Sequence, residues 1–321
     1  KYLFLIIFSI MVNYLCGLLI INFQKRYFLK KFSLIMGVII NLSILVYFKY
    51  TNFFIENINE LFGFNLILYS IILPLGISFF TFQQIAFLID LFRNEKLYIK
   101  MNYYFLFVTF FPQLIAGPIV NYREMVDQYD PSKNKLNNIW SNLSIGITLI
   151  TIGLFKKVII ADKLAFWSDK AFIYSANEGT LTFLESWLNV LCFSFQIYFD
   201  FSAYSDIALG LALLFGFKLP INFFSPYKAT NIIEFWRLWH ITLSRFLKNY
   251  LYIPLGGNKF GKVRQFVNLF VVMTIGGFFL MGRLLHYISV AYRNKIPLWI
   301  RQISQLLTLG SILAASLLLI R

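Results

Sequence analysis

The sequence is poor in what marks a soluble domain. Only 13% of its 321 residues are charged, about half the share usual in soluble domains. Acidic residues are scarcest: 14 Asp and Glu stand against 29 Lys and Arg, giving a net charge of +15. The two cysteines, Cys16 and Cys192, lie in apolar runs with no metal-ligand spacing and read as small hydrophobes. No Ser-His-Asp order, zinc spacing or phosphate loop is visible, and there is no repeat or low-complexity stretch. What is abundant is apolar surface: 59% of residues are hydrophobic, 38 of them Phe. A soluble chain of this length could not bury so much, whereas a bilayer acts as the apolar solvent. The basic residues fall in short blocks between apolar runs. That pattern fits membrane topology and contact with anionic lipids, and argues against nucleic acid as a partner.

A helix needs about 20 apolar residues to cross the hydrocarbon. Hydrophobic segments fall at 3–21, 33–48, 66–92, 103–120, 139–161, 181–199, 202–217, 266–285 and 306–320, about nine in all. The expectation is an all-α, polytopic transmembrane bundle forming a single integral membrane domain over residues 1–321, incomplete at both ends. The first run lacks a small-residue cleavage site and is not read as a signal peptide. Lys25, Arg26, Lys30 and Lys31 place the loop at 22–31 in the cytoplasm, and the acidic loop expected near 52–64 outside. Eight basic residues between 218 and 264 place that stretch at the cytoplasmic side. Pro74 and Gly76 interrupt the third run, and Pro112, Gly117 and Pro118 the fourth. Such breaks are either kinks in a bundle or the lining of a cavity.

Two polar constellations interrupt the apolar pattern. Asp200, Ser202, Tyr204 and Asp206 lie between two apolar stretches. A carboxylate near the membrane centre costs at least about 2.5 kcal/mol, so two within seven residues call for a reason. On a helix Asp200 and Tyr204 share a face, as do Ser202 and Asp206. They fix helix packing or serve a substrate, and the sequence leaves both open. The second constellation runs from Asn231 to Tyr250. Wound as one helix, it puts Trp236, Trp239, Leu243, Phe246 and Tyr250 on one face and Arg237, His240, Ser244 and Lys248 on another. One reading is an interfacial amphipathic helix without chemistry. The other makes His240 a proton-handling group oriented by Arg237 and Ser244.

Together these stretches resemble the membrane-bound O-acyltransferase family, in the branch of bacterial alginate and peptidoglycan O-acetylation proteins. The teichoic acid D-alanylation proteins are a related branch. The matching runs are Leu73-Pro-Leu-Gly-Ile-Ser-Phe-Phe-Thr-Phe-Gln83, Phe111-Pro-Gln-Leu-Ile-Ala-Gly-Pro118, the stretch from Asp200 to Asp206, Ser225-Pro-Tyr, Phe235-Trp-Arg-Leu-Trp-His240 and Tyr252-Ile-Pro-Leu-Gly-Gly-Asn258. They occur in family order from about residue 10 to 280. The resemblance implies a ring of helices around a thinned centre in the bacterial cytoplasmic membrane. There an acyl group, acetyl in this branch, passes from a cytoplasmic thioester such as acetyl-CoA to a hydroxyl of an envelope polysaccharide or to a periplasmic transferase. No tightly bound cofactor or metal is implied.

His240 matches the first of two family histidines. The second stands about forty residues later in a Gly-Leu-Trp-His-Gly motif, but here the chain reads Gly276-Gly-Phe-Phe-Leu280-Met-Gly-Arg-Leu-Leu-His286. Leu280 occupies the place of that histidine, and His286 matches a later Leu-Leu-His. His240 and His286 are therefore the catalytic candidates, with His286 in the role only if it has moved into the missing base's place. Asp200, Ser202, Tyr204, Asp206, Asn231, Arg237 and Ser244 are the substrate-binding candidates. Three functions follow as expectations: an active O-acyltransferase, a member that has lost catalysis and acts through binding, or a polytopic transporter.

Overall fold

The computed structural model describes residues 2–74, 76–93, 99–114, 117–130, 139–176, 180–272 and 274. Every regular element among them is helical. In chain order they are α1 (Tyr2–Asn22), α2 (Tyr27–Phe62), α3 (Ile77–Arg93), α4 (Met101–Thr109), α5 (Phe111–Leu114), α6 (Tyr122–Tyr129), α7 (Ile139–Leu154), α8 (Asp162–Ala176), α9 (Phe183–Leu214), α10 (Ile232–Leu238) and α11 (Ile241–Leu247). A wide π-helical turn, Phe155–Ala161, joins α7 to α8, and another, Lys248–Tyr252, follows α11. Residues 261–272 are helical again. Four stretches are long and apolar enough to cross a membrane: Leu3–Asn22, Tyr27–Asn59, Ile139–Ser175 and Phe183–Leu214. The all-helical membrane protein expected from composition is what forms.

Several segment boundaries differ from the sequence expectation. The runs at 181–199 and 202–217 are one helix, α9, because nothing between them breaks the backbone ladder. The acidic stretch read as a loop near 52–64 is helical through Phe62, and α2 ends only where Gly63 turns left-handed at φ 67°. At 36 residues α2 is roughly 54 Å long, well over the hydrocarbon thickness of about 30 Å. Of the run at 66–92, only α3 is helical, and residues 63–74 are not. The run at 103–120 is divided into α4 and α5. The segment at 306–320 lies outside the described residues.

The described residues form two compact units. One draws on Lys1–Val108, Asn121–Arg123 and Arg245–Arg321, the other on Thr109–Val120 and Glu124–Ser244. In the first unit α3 is central, with eleven of its seventeen residues buried. It packs on α1 and α2 at small residues, where a Cβ on Gly37 would lie 2.5 Å from Leu88 Cδ1. A buried polar cluster ties the three helices. Ser9 Oγ donates to Gln84 Oε1 at 2.8 Å, Asn13 also donates to Gln84, and Asn13 and Asn41 exchange amide hydrogen bonds at 2.6 and 3.1 Å. The non-helical run before α3 is not left with bare backbone. Asn52 bonds both N–H and C=O of Tyr69, and Asn59 those of Leu66, at 2.7–3.0 Å. In a bilayer such side-chain amides replace the water that would solvate an extended backbone.

The second unit is built on α7 and α9. A Cβ on Gly210 would lie 2.6 Å from the Gly146 carbonyl oxygen, and one on Gly153 2.8 Å from that of Ala203. The two backbones therefore touch, as small residues allow. Beyond the glycines the π turn presents Lys156 and Lys157 to α9. The N-terminus of α9 is closed by a capping box, in which Thr182 and Glu185 satisfy each other's backbone N–H.

Candidate functional site

The stretch expected to be one amphipathic helix is broken at the residue that matters. Helix α10 ends at Leu238, Trp239 is extended, and His240 adopts φ 43° before α11 begins at Ile241. Left-handed backbone is unfavourable for a residue with a Cβ and persists only where neighbours hold it. Here two backbone hydrogen bonds flank the histidine. Phe224 N–H donates to the Leu238 carbonyl at 3.1 Å, and Ile241 N–H to the Asn222 carbonyl at 2.9 Å. The shared stripe of Arg237, His240 and Ser244 does not exist, because the helix carrying it would have to run through this joint.

His240 caps α11. Its carbonyl accepts from Ser244 N–H at 3.1 Å, and its Nδ1 accepts from Leu243 N–H at 3.3 Å. This is the N-cap geometry that Ser or Asp usually provides. An Nδ1 that accepts must carry its lone pair there, so the neutral ring holds its proton on Nε2. Among the described residues Nε2 makes no hydrogen bond. Phe201 of α9 meets the ring edge-on at 4.8 Å, and Phe223 lies at 6.0 Å. Only 8% of the residue is exposed. Burial pushes the imidazole from its usual 6.5 down to about 4. At neutral pH His240 is thus an uncharged N–H donor in an aromatic setting.

The other candidates divide. Asp200 and Asp206 turn toward α7 and the π turn rather than toward Tyr204 and Ser202. Lys157 Nζ lies 2.7 Å from Asp200 and 2.9 Å from Asp162, and Lys156 Nζ lies 2.6 Å from Asp206. Ser202 is buried and donates to the Phe199 carbonyl at 3.4 Å. Tyr204 is exposed with the Lys157 ammonium 5.7 Å from its ring centre. Asn231 is the N-cap of α10, its Oδ1 accepting from Glu234 N–H at 2.9 Å. The side chains of Arg237 and Ser244 are exposed and neither bonds His240. His286 lies outside the described residues.

Other residues, which the sequence reading passed over, surround His240. The face of α9 that meets it carries Phe201 and Ser205, four apart, whereas Asp200 and Asp206 serve the α7 side. Asn222 and Thr242 form a buried pair beneath the joint. Lys156 and Lys157 had a signal: two adjacent cations inside the apolar run 139–161 require counter-ions at similar depth. Asn222 and Thr242 had none, because an Asn before two Phe and a Thr in an apolar helix are ordinary. No group of three His, Cys, Asp or Glu that could hold a metal occurs among the described residues.

The all-helical elements and the four stretches long and apolar enough to span define a helical membrane protein. Residues 93–293 match the membrane-bound O-acyltransferase family. The chain belongs to that family, as the order of its motifs implies. It is 44% identical to the peptidoglycan O-acetyltransferase of Helicobacter pylori, over 91% of this chain and 60% of that protein. It is 43% identical to the probable alginate O-acetylase AlgI of Pseudomonas syringae pv. tomato, over 76% of this chain and 46% of that one. Similarity extends to the teichoic acid D-alanyltransferase of Bacillus subtilis at 31% identity, over 58% of this chain and 46% of that one. The chain thus spans between 46% and 60% of the length of these relatives.

Proposed function

We propose that this chain works in O-acylation at the bacterial cytoplasmic membrane. An acyl group, acetyl in the reading its relatives' names favour, moves from a cytoplasmic thioester such as acetyl-CoA to a hydroxyl of an envelope polysaccharide or to a periplasmic acetyltransferase partner. The acceptor oxygen attacks the thioester carbonyl carbon, the C–S bond breaks, and the hydroxyl proton ends on the departing thiol. The donor is a substrate rather than a resident cofactor.

The observation that carries the reading is the state of His240. Its Nδ1 lone pair is committed to Leu243 N–H, so the neutral ring carries its proton on Nε2. A donor of that kind stabilises negative charge growing on a carbonyl oxygen, and does so best where water is excluded. In this tautomer His240 is a donor rather than the base that takes the hydroxyl proton. Substitution separates the two roles. His240→Ala is expected to lower acetyl transfer in membranes about 10²–10³-fold, the usual loss of one such donor. His240→Gln keeps an N–H donor but no useful base, and is expected to retain clearly more activity than His240→Ala. Equal loss in both would assign proton abstraction to His240 instead, and no loss in either would remove it from the reaction.

A further inference from the structure

His240 stands at a conformation its own chemistry does not favour, and one of the two hydrogen bonds that flank it, with the polar contacts just beyond it, leads to a single residue. Asn222 is fully buried. Its backbone carbonyl accepts from Ile241 N–H, the residue directly after His240. Its Oδ1 accepts from the Thr242 hydroxyl at 2.9 Å and, at 3.4 Å, from Thr242 N–H. Its Nδ2 donates to Ser205 Oγ on α9 at 3.3 Å. Thr242 Oγ1 in turn accepts from Ile119 N–H at 3.0 Å, in the segment after Pro118. One amide therefore connects α9, the start of α11 and the Pro118 segment, two residues from the left-handed joint.

The side chain is matched to this task. An amide offers acceptor and donor at once, here to Thr242 and Ser205, whereas an apolar residue of the same size would leave a buried hydroxyl and N–H unpaired. The same α9 face supplies Phe201, which stacks edge-on against the imidazole. Anchoring the joint to Ser205 therefore keeps the ring in register with its aromatic neighbour.

We infer that Asn222 is a positioning residue for His240: it pins the left-handed joint so that Nδ1 stays tied to the cap of α11 and Nε2 stays free for the reacting group. It does not touch substrate. Its activity arm rests on the acyl-transfer reading proposed above; its placement arm does not.

Two measurements on the full chain in membranes test it. The first is transfer. Asn222→Ala is expected to lower kcat about tenfold or more with KM within about twofold, because transition-state contact and not ground-state binding is lost. In the Asn222→Ala/His240→Ala double variant, transfer should match His240→Ala alone, since residues acting through one group are not additive. Asn222→Asp, which still accepts from Thr242 while the Ser205 hydroxyl turns to donate, should recover part of the loss. The second measurement is placement: the rate at which diethyl pyrocarbonate modifies His240, read by peptide mass spectrometry. Asn222→Ala and Thr242→Val should each raise it about threefold or more by freeing the buried ring. Thr242→Val alone decides the placement if Asn222→Ala does not accumulate. Losses that multiply in the double variant, or unchanged modification in these variants, overturn the proposal. If the parent chain transfers no acyl group, the acyl-transfer reading fails while the modification rates still judge the placement; if His240→Ala transfers like the parent, the role of His240 in the reaction fails.

Discussion

At the scale of the residue, the behaviour of His240 follows from its burial. A pushed-down imidazole pKa has a defined sign. Between about 4 and 6.5 the unfolded chain binds a proton that the folded one refuses. Stability from this residue is therefore intact above 6.5 and is lost as pH falls toward 4. Thermal unfolding in detergent should show a steeper loss of stability over this window for the parent than for His240→Gln, and parallel curves would mean the ring is not buried as described. On the proposed role of His240, the same shift would set the acid limb of acyl transfer. If neutral His240 is the active form, kcat/KM stays level down to near pH 5 and falls only as pH approaches 4, whereas a limb centred on 6.5 would mark a solvated histidine. Nearby, Glu234 is no candidate acid. The Thr230 backbone N–H and hydroxyl bind its carboxylate and hold its pKa below the usual range.

At the scale of the element, the contact of α7 with α9 joins two devices: backbone contact at glycines and ion pairs at the π turn. Asp200 and Asp206 lie six positions apart on α9, about 9 Å along its axis, and adjacent lysines reach both. Gly210→Leu should destabilise the protein by roughly 1–3 kcal/mol, since its Cβ alone already meets the facing carbonyl. Lys156→Met leaves Asp206 unpaired and should cost about 2–3 kcal/mol, while Lys156→Met combined with Asp206→Leu should regain most of that. Equal melting temperatures for the single and double variants would show that the pair contributes nothing. The elements also show what the sequence could and could not convey. Long apolar runs such as 3–21 were legible because hydropathy alone determines them. The break at His240 was not, because the 3.6-residue periodicity of residues 231–250 is kept on both sides of it. What holds the break is a long-range clasp, Phe224 N–H on the Leu238 carbonyl and Ile241 N–H on the Asn222 carbonyl, contacts no local pattern reports. Asp200 and Asp206 were legible as anomalies, but their lysine partners, Lys157 and Lys156, lie more than forty positions earlier. The merger of two runs into α9 went unseen for the opposite reason: polar residues in the middle looked like a boundary.

At the scale of the whole molecule, the chain is a helical membrane protein of the O-acyltransferase family, most of whose basic residues sit between its apolar runs. Positive blocks orient such proteins toward the cytoplasm. A cysteine replacing Lys25 should therefore be shielded from a membrane-impermeant maleimide in intact cells, and one replacing Phe64 should be labelled. The reverse pattern would invert the assigned topology. In the function proposed, acyl transfer passes through His240. Its most direct measurement is the movement of labelled acetyl from acetyl-CoA to envelope polysaccharide in membranes carrying the parent chain or His240→Ala at equal abundance. Transfer by the parent is expected, with a loss of about 100-fold or more in the variant. Transfer by His240→Ala at the parent's rate would contradict it.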